Sequence, residues 1–281
     1  MSRSVTRTAG VLLALGALAY TAWLLEVLVV TGLDPVRTYV SELAAADQPL
    51  GGLFRATDLA AGLLVLAGAL TGLAAGREAR PRGPGDLTSG DEARPRGPGT
   101  DPGPRAPSWA GAPASAALRS SAARPSWARQ PGPVRPRRPW LLTGWAALAV
   151  FGAATAVDSR LPLSCAPTAD PACAARETAG LVPATHTAHA VSSGLAMTGA
   201  LVALVALTVA ARRHGRWPAL ARTGPVLVVV ELAATAWTLA AVAAFEAGRG
   251  IWSLGAGQRL QVLLVAVWLA VLAVSLLREE R

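Results

Sequence analysis

The stretch Gln258–Leu277, QRLQVLLVAVWLAVLAVSLL, decides the fold of this 281-residue chain. It is almost wholly apolar, and at 1.5 Å per residue its length matches a bilayer core of about 30 Å. Backbone amides in lipid must be paired within the segment, so such a stretch predicts a membrane-spanning helix. Five further stretches qualify: Ala9–Thr31, Ala56–Gly76, Trp140–Val157, Ala188–Ala211 and Gly224–Phe245. The sequence therefore predicts an all-α bundle of six transmembrane helices.

The composition agrees with a membrane protein. Hydrophobic residues make up 52% of the chain and charged residues 15%, whereas a soluble domain is about 25% charged. The N-terminus carries Arg3 and Arg7 before its apolar run, which is a pattern that signal peptides share. The run continues past Ala19 to Val30, too long for a signal peptide. We therefore expect a retained first span.

The distribution of arginines predicts the orientation in the membrane. All 26 basic residues are arginine, and 20 of them fall on the side of the membrane that holds both termini. Cytoplasmic loops carry the excess of positive charge. The sequence thus predicts a multi-pass protein of the cell (plasma) membrane with cytoplasmic N and C termini, whose partner is the lipid bilayer.

Residues 77–139 differ in composition from the rest of the chain. They hold thirteen prolines, eight glycines and a net charge of +7, a composition that predicts a disordered segment. They separate spans one and two with their outer loop (1–76) from spans three to six (140–281). Two interpretations remain open: a tolerated cytoplasmic insertion, or a basic tether to anionic lipid headgroups. Specific nucleic-acid binding is not expected, and the sequence leaves the oligomeric state open.

Both cysteines fall in the predicted outer loop between spans three and four. Cys165 and Cys173 are eight positions apart, with two prolines between them. The outer side of the membrane permits disulfides. We expect a Cys165–Cys173 bridge, with two free thiols as the alternative.

Polar residues gather on the predicted outer side, and they form the candidate site. Ionisable residues in or beside a membrane span are candidates for function. The candidates are Ser41, Glu42, Asp58, Asp158, His186 and His189. One interpretation is a pocket for a lipid headgroup or a small polar ligand, without a cofactor. The alternative is a metal-dependent hydrolase acting on a lipid or amide, because His186, His189 and Asp158 form a typical zinc-ligand set. A third interpretation of the histidines is purely structural, as hydrogen-bonding groups at the interface.

A further carboxylate, Glu231, lies inside the fifth span, about two turns from its cytoplasmic end. A carboxylate at this depth is typical of a polar contact between helices or of a proton relay. The relay hypothesis is a proton-coupled transporter, in which Glu231→Gln abolishes pH-dependent flux.

Short motifs around the first outer loop carry a family resemblance. Asp34-Pro35, Ser41-Glu42-Leu43, Pro49 and Phe54-Arg-Ala-Thr-Asp58 resemble the bacterial domain-of-unknown-function family 998 (DUF998). The resemblance covers nearly the whole chain outside 77–139. It implies about six helices, an Asp after span three and a His at the start of span four, matched by Asp158 and by His186 or His189. The family implies no activity.

Two more distant likenesses concern the same residues. The Ser, Asp and His set is similar to that of the alkaline ceramidase and progestin-receptor-like membrane hydrolases, which implies zinc chemistry. The loop of Ser41 is similar to the first loop of six-helix lipid-remodelling and autophagy-modulator proteins, which implies no defined chemistry.

Overall fold

The computed structural model describes residues 3–78 and 139–279, so nearly all of the predicted disordered segment, 77–139, lies outside the described residues. Seven α-helices occur in the described ranges: α1 (Arg3–Tyr20), α2 (Gly51–Glu78), α3 (Pro139–Asp158), α4 (Pro171–Thr178), α5 (Ala184–His214), α6 (Pro218–Glu246) and α7 (Leu254–Arg278). Six of them, all except α4, are long and apolar enough to cross a membrane. No strand occurs in these ranges. The prediction of an all-α bundle with six membrane helices is confirmed.

The six long helices pack in a closed ring. Each contacts two neighbours, in the order α1, α2, α3, α5, α6, α7 and back to α1. Large apolar side chains fill the centre, among them Leu148, Leu207, Trp268 and Leu272. Many large apolar side chains on the outside remain exposed, as expected of a bundle whose solvent is lipid.

Glycines bring the helices of the ring close together. A Cβ atom at Gly62 of α2 would lie 2.5 Å from the backbone nitrogen of Ala156 on α3. A Cβ atom at Gly152 of α3 would lie 2.5 Å from the backbone nitrogen of Leu66 on α2. Helices in lipid associate largely by such close packing, since lipid and side chains are equally apolar. The α2–α3 crossing therefore depends on these two glycines.

One end of the bundle, which we name the disulfide end, carries the loops that matter for the site. The loop between α3 and α5 contains α4 and a Cys165–Cys173 disulfide with a Cα–Cα distance of 6.0 Å. The loop between α1 and α2 lies against it, because the amide of Ala46 donates to the carbonyl of Leu163 at 2.8 Å. The two loops thus form one layer over this end.

The first span departs from the regular helix that the sequence predicts over Ala9–Thr31. Helix α1 ends at Tyr20, and the chain continues as a tighter 3₁₀ turn over Ala22–Val27. A 3₁₀ turn has three residues per turn instead of 3.6 and so rotates its side chains relative to those of α1. Trp23 faces into the bundle and Glu26 faces α7.

Candidate functional site

A polar cavity of about 110 Å³ lies at the disulfide end, beneath the loop layer. Every long helix except α6 contributes to its wall. The polar part of the lining consists of Ser41, Asp58, Thr155, Asp158, Ser193, Gln258 and Gln261, and the aromatic part of Tyr20, Trp23 and Phe54. Three of the six residues predicted for an outer-face pocket, Ser41, Asp58 and Asp158, therefore share one cavity.

Asp158, the last residue of α3, is held by three side chains of α5. The hydroxyl of Ser193 lies 3.0 Å from each carboxylate oxygen, and the hydroxyl of Ser192 donates to Oδ1 as well. The Nδ1 atom of His189 lies 3.2 Å from Oδ1. These contacts satisfy the Asp158 carboxylate from the protein side.

His189 links Asp158 to Ser193. Its Nδ1 atom also lies 2.9 Å from the carbonyl oxygen of Leu161, an atom that accepts hydrogen bonds and never donates them. This contact favours the tautomer with the proton on Nδ1. The unprotonated Nε2 atom then faces the hydroxyl of Ser193 at 3.3 Å. His189 lies behind Asp158 rather than in the cavity wall.

Asp58, on α2, has a different environment. Its carboxylate faces the cavity, close to the charge of Asp158. No side chain or amide in the described part of the chain donates a hydrogen bond to it. A carboxylate removed from bulk water without such donors is costly unless a positive charge or a proton compensates it. Asp58 is thus the carboxylate of the cavity that the described residues leave without a hydrogen-bond donor.

Two arginines on helices that line the cavity are engaged elsewhere. Arg259 of α7 forms two hydrogen bonds to Glu26 and donates to the carbonyl of Thr38 at 2.7 Å. Arg55 of α2 donates to the carbonyl of Ala44 at 2.6 Å. Among the described residues that line the cavity, none carries a positive charge. The lining is therefore acidic.

Glu42 points away from the cavity although its neighbour Ser41 lines it. Its carboxylate is completely buried and accepts hydrogen bonds from the amide and the hydroxyl of Thr168, at 2.8 and 2.6 Å. Burial raises the pKa of Glu42 to about 7, although the two Thr168 hydrogen bonds and the charge of Arg259 lower it in part. Thr168 belongs to the disulfide-bonded loop, so Glu42 joins the two loops that cover the cavity.

His186 also lies away from the cavity. Its Nδ1 atom contacts the hydroxyl of Ser164 at 2.9 Å, and its Nε2 atom lies 3.3 Å from Glu177 of α4. His186 and His189 are both on α5, but they face different partners. Within residues 3–78 and 139–279, no group of three or more His, Cys, Asp or Glu side chains is placed to hold a metal ion. The geometry gives no support to the zinc set of His186, His189 and Asp158, and zinc binding stays a prediction.

Glu231 of α6 is buried against α7, and its Oε2 atom has no hydrogen-bond partner. Gln261, its hydrogen-bonding neighbour on α7, also lines the cavity and donates to Thr235 at 2.9 Å. The side chain of Gln261 thus lies between Glu231 and the cavity.

Sequence reasoning missed Trp23, Gln258 and Gln261. The two glutamines carry a usable signal, because residues three positions apart share one helix face and amides are unusual in an apolar span. The indole Nε1 of Trp23 is buried without a hydrogen-bond partner, and nothing in the sequence separates this tryptophan from others at membrane interfaces.

Fold and cavity together define a multi-pass helical membrane protein with an acidic polar site near one end of its bundle. The sequence profile of the family described as "Protein of unknown function (DUF998)" matches residues 13–87 and 127–275. The chain belongs to this family. No curated protein and no solved structure matches it.

Proposed function

We propose that this protein binds a small polar ligand, or the polar headgroup of a lipid, in the cavity at the disulfide end. The observation that carries the proposal is Asp58, a carboxylate that faces the cavity without a donor from the described residues. Ligand sites are typically concave and apolar, with a few polar groups that fix orientation. The aromatic wall and the polar groups opposite it match that description.

The proposed setting is the cell membrane, with both termini in the cytoplasm and the cavity toward the outer face. Support comes from the arginine excess on the side of the termini and from the disulfide in the opposite loops. The basic segment 77–139 would then contact the cytoplasmic leaflet, whose anionic headgroups attract arginine.

Mass spectrometry of what the purified protein retains tests the binding proposal. The wild-type protein should carry a bound small molecule or a selected lipid that Asp58→Asn loses. Asp47→Asn is the matched control, because Asp47 is an exposed carboxylate at the same end that does not line the cavity. Equal retention in the wild type and in both variants would contradict the proposal.

One observation favours a second candidate, a hydrolase acting on a lipid or an amide. His189 lies between Ser193 and Asp158: its Nε2 atom is 3.3 Å from the Ser193 hydroxyl and its Nδ1 atom is 3.2 Å from Asp158 Oδ1. Hydrolases place a nucleophile, a general base and an orienting carboxylate in this order. A fluorophosphonate probe tests it, since that probe labels activated serines. Labelling of the wild type that Ser193→Ala abolishes and Ser192→Ala retains would support the hydrolase. No labelling, or equal labelling in Ser193→Ala, would exclude Ser193 as the nucleophile.

A further inference from the structure

Helices α5 and α6 pack closely at the end of the bundle opposite the disulfide. A Cβ atom at Gly224 of α6 would lie 2.5 Å from the hydroxyl of Thr208 on α5. Every residue of α5 from Ala203 to Ala211 is buried or half-buried. Neighbouring helices therefore enclose α5 on all sides at this level.

The same face of α5 becomes exposed toward the disulfide end. Going back along the chain from Thr208, the residues that share its helix face are Leu201, Met197, Gly194 and Ala190. The first two are half-buried, and the last two are exposed. Nothing lies within 4 Å of a Cβ atom built at Gly194. Among the described residues, the helix that covers this face at Thr208 no longer covers it at Gly194.

Helix α6 leaves α5 by packing on α7 instead. The face of α6 that carries Gly224 continues toward the disulfide end through Thr235 and Thr238. Thr235 accepts a hydrogen bond from Gln261 of α7 at 2.9 Å. A Cβ atom at Gly257 of α7 would lie 3.3 Å from the hydroxyl of Thr238. A gap between α5 and α6 thus widens toward the disulfide end.

This gap borders the polar cavity. Ser193 and Met197 of α5 line the cavity and are half-buried, and Met197 also belongs to the face of α5 that α6 leaves. Helix α7 supplies Gln261 and Val262 to the lining. Among the described residues, the lining comes from every long helix except α6. The cavity wall is therefore incomplete on the side where α6 turns away.

The depth of the gap decides what lies outside it. Gly194 and Met197 fall within the span Ala188–Ala211, several residues below its outer end. The medium at this depth is hydrocarbon, not water. The side chains that border the gap on α5 are small or apolar, so they match the acyl chain of a lipid. A soluble molecule would have to enter through the loop layer instead.

We infer that the gap between α5 and α6 is a lateral opening to the membrane, through which a bilayer lipid places its headgroup in the cavity. Its acyl chain then lies between α5 and α6. This inference rests on the proposed binding function and narrows its ligand to a lipid.

Photolabelling of the full chain in nanodiscs tests the opening. The discs contain phosphatidylcholine and a small share of the same lipid with a diazirine on one acyl chain. Gln261 and Val262 are less than a tenth exposed, so bulk lipid reaches them only through the opening. Peptide mass spectrometry should find adducts on these two residues of the wild type. A wild type labelled on its exposed faces alone would overturn the inference.

Gly194→Trp should close the opening, because the added ring enters space that the described residues leave empty. The adducts on Gln261 and Val262 should be lost. Leu195→Trp is the matched control: Leu195 is 52% exposed and, two positions from Met197, lies on roughly the opposite side of the helix. It should retain both adducts. Unchanged labelling in Gly194→Trp would overturn the opening, and equal melting temperatures will verify that both variants fold.

Retention of lipid identifies the occupant. After incubation in nanodiscs of phosphatidylcholine, phosphatidylethanolamine and phosphatidylglycerol in equal parts, the wild type and Leu195→Trp should carry a phospholipid through detergent extraction. Native mass spectrometry should show that Gly194→Trp has lost it, and equal retention would overturn the opening. If the wild type and Gly194→Trp both retain a water-soluble molecule instead, the lipid inference fails and the binding function stands. If the wild type retains neither lipid nor soluble molecule, the binding function fails as well.

Discussion

The guanidinium of Arg259 and the carboxylate of Glu26 form a bidentate salt bridge that joins α7 to the 3₁₀ turn after α1. The Nε–Oε1 distance is 2.6 Å and the Nη2–Oε2 distance is 2.7 Å. Both side chains are less than a tenth exposed. Arg259 also donates to the carbonyl of Thr38, so one side chain fixes the turn and the loop that border the cavity.

Removing the charge of either partner should destabilise the protein strongly. Glu26→Gln leaves the Arg259 charge buried with carbonyl acceptors alone, and Arg259→Gln leaves a buried carboxylate. Each change should lower the free energy of unfolding by about 3–5 kcal/mol. The double variant should lose much less than the sum, and SDS titration in mixed micelles measures all three.

A second ion pair provides the comparison. Arg216 and Glu279 form a similar bidentate salt bridge at the opposite end of the bundle. The Nε–Oε1 distance is 2.8 Å and the Nη2–Oε2 distance is 2.9 Å, but both side chains are far more exposed. Exposed pairs contribute about 0–1 kcal/mol. If Glu279→Gln costs as much as Glu26→Gln, burial is not the reason for the larger effect.

The Glu26–Arg259 pair also illustrates the limit of sequence reasoning. The number, approximate position and type of the helices follow from apolar length alone, because lipid admits few alternatives. The convergence of Ser41, Asp58 and Asp158 follows from placing the loops on one side. The partner of Glu26 lies 233 positions away along the chain, and no local pattern specifies such a pairing. For the same reason the separation of His186 from His189 could not be predicted, since it depends on which loop atoms each ring meets.

The Gly62–Gly152 crossing should tolerate no added methyl group. Gly62→Ala places a Cβ atom 2.5 Å from backbone, which cannot move without shifting α3. We expect a loss of about 1–3 kcal/mol in SDS titration. Gly194→Ala on α5, where nothing lies within 4 Å of the added atom, should be neutral. Since alanine favours a helix over glycine, similar losses for both substitutions would show that the close approach at Gly62 is not the cause of its loss.

The disulfide should stabilise the loop layer over the cavity. Replacing Cys165 and Cys173 by alanine opens a loop whose ends are eight positions apart. The loss of loop closure predicts a decrease of roughly 2–3 kcal/mol in the free energy of unfolding. The same decrease should appear when the wild type is titrated with SDS under reducing conditions. A reductant that lowers the stability of the alanine variant equally would mean that the bridge is not its target.

The proposed orientation predicts on which side of the membrane a reporter protein fused to each loop or terminus will lie. A green fluorescent protein fused after Arg281 should fluoresce, because it folds in the cytoplasm and not after export as an unfolded chain. Alkaline phosphatase fused within the loop after Asp158 should be active, because it needs an oxidising compartment. The reverse pattern would invert the topology derived from the arginines.

Glu42 should make stability depend on pH. Burial raises its pKa to about 7, above the ordinary value of about 4.3. Arg259 from α7 and Glu177 from α4 act on it in opposite directions, and Thr168 binds it directly. Between these two pH values the folded protein holds a proton that the unfolded chain releases. The contribution of Glu42 to stability is therefore complete below about pH 4.3 and is lost as the pH rises through about 7.

Glu42→Gln removes this dependence, because glutamine has the shape of the protonated acid. It can accept from the Thr168 amide and donate to the Thr168 hydroxyl, which keeps the two loops joined. The variant should match the wild type near pH 4.5 and exceed it at pH 8, by at most about 4 kcal/mol at 1.36 kcal/mol per pKa unit. SDS titrations across this range measure the difference, with Asp47→Asn as the exposed control. A wild-type advantage that grows with pH would mean that the Thr168 hydrogen bonds outweigh burial and that the carboxylate is ionised in the folded protein.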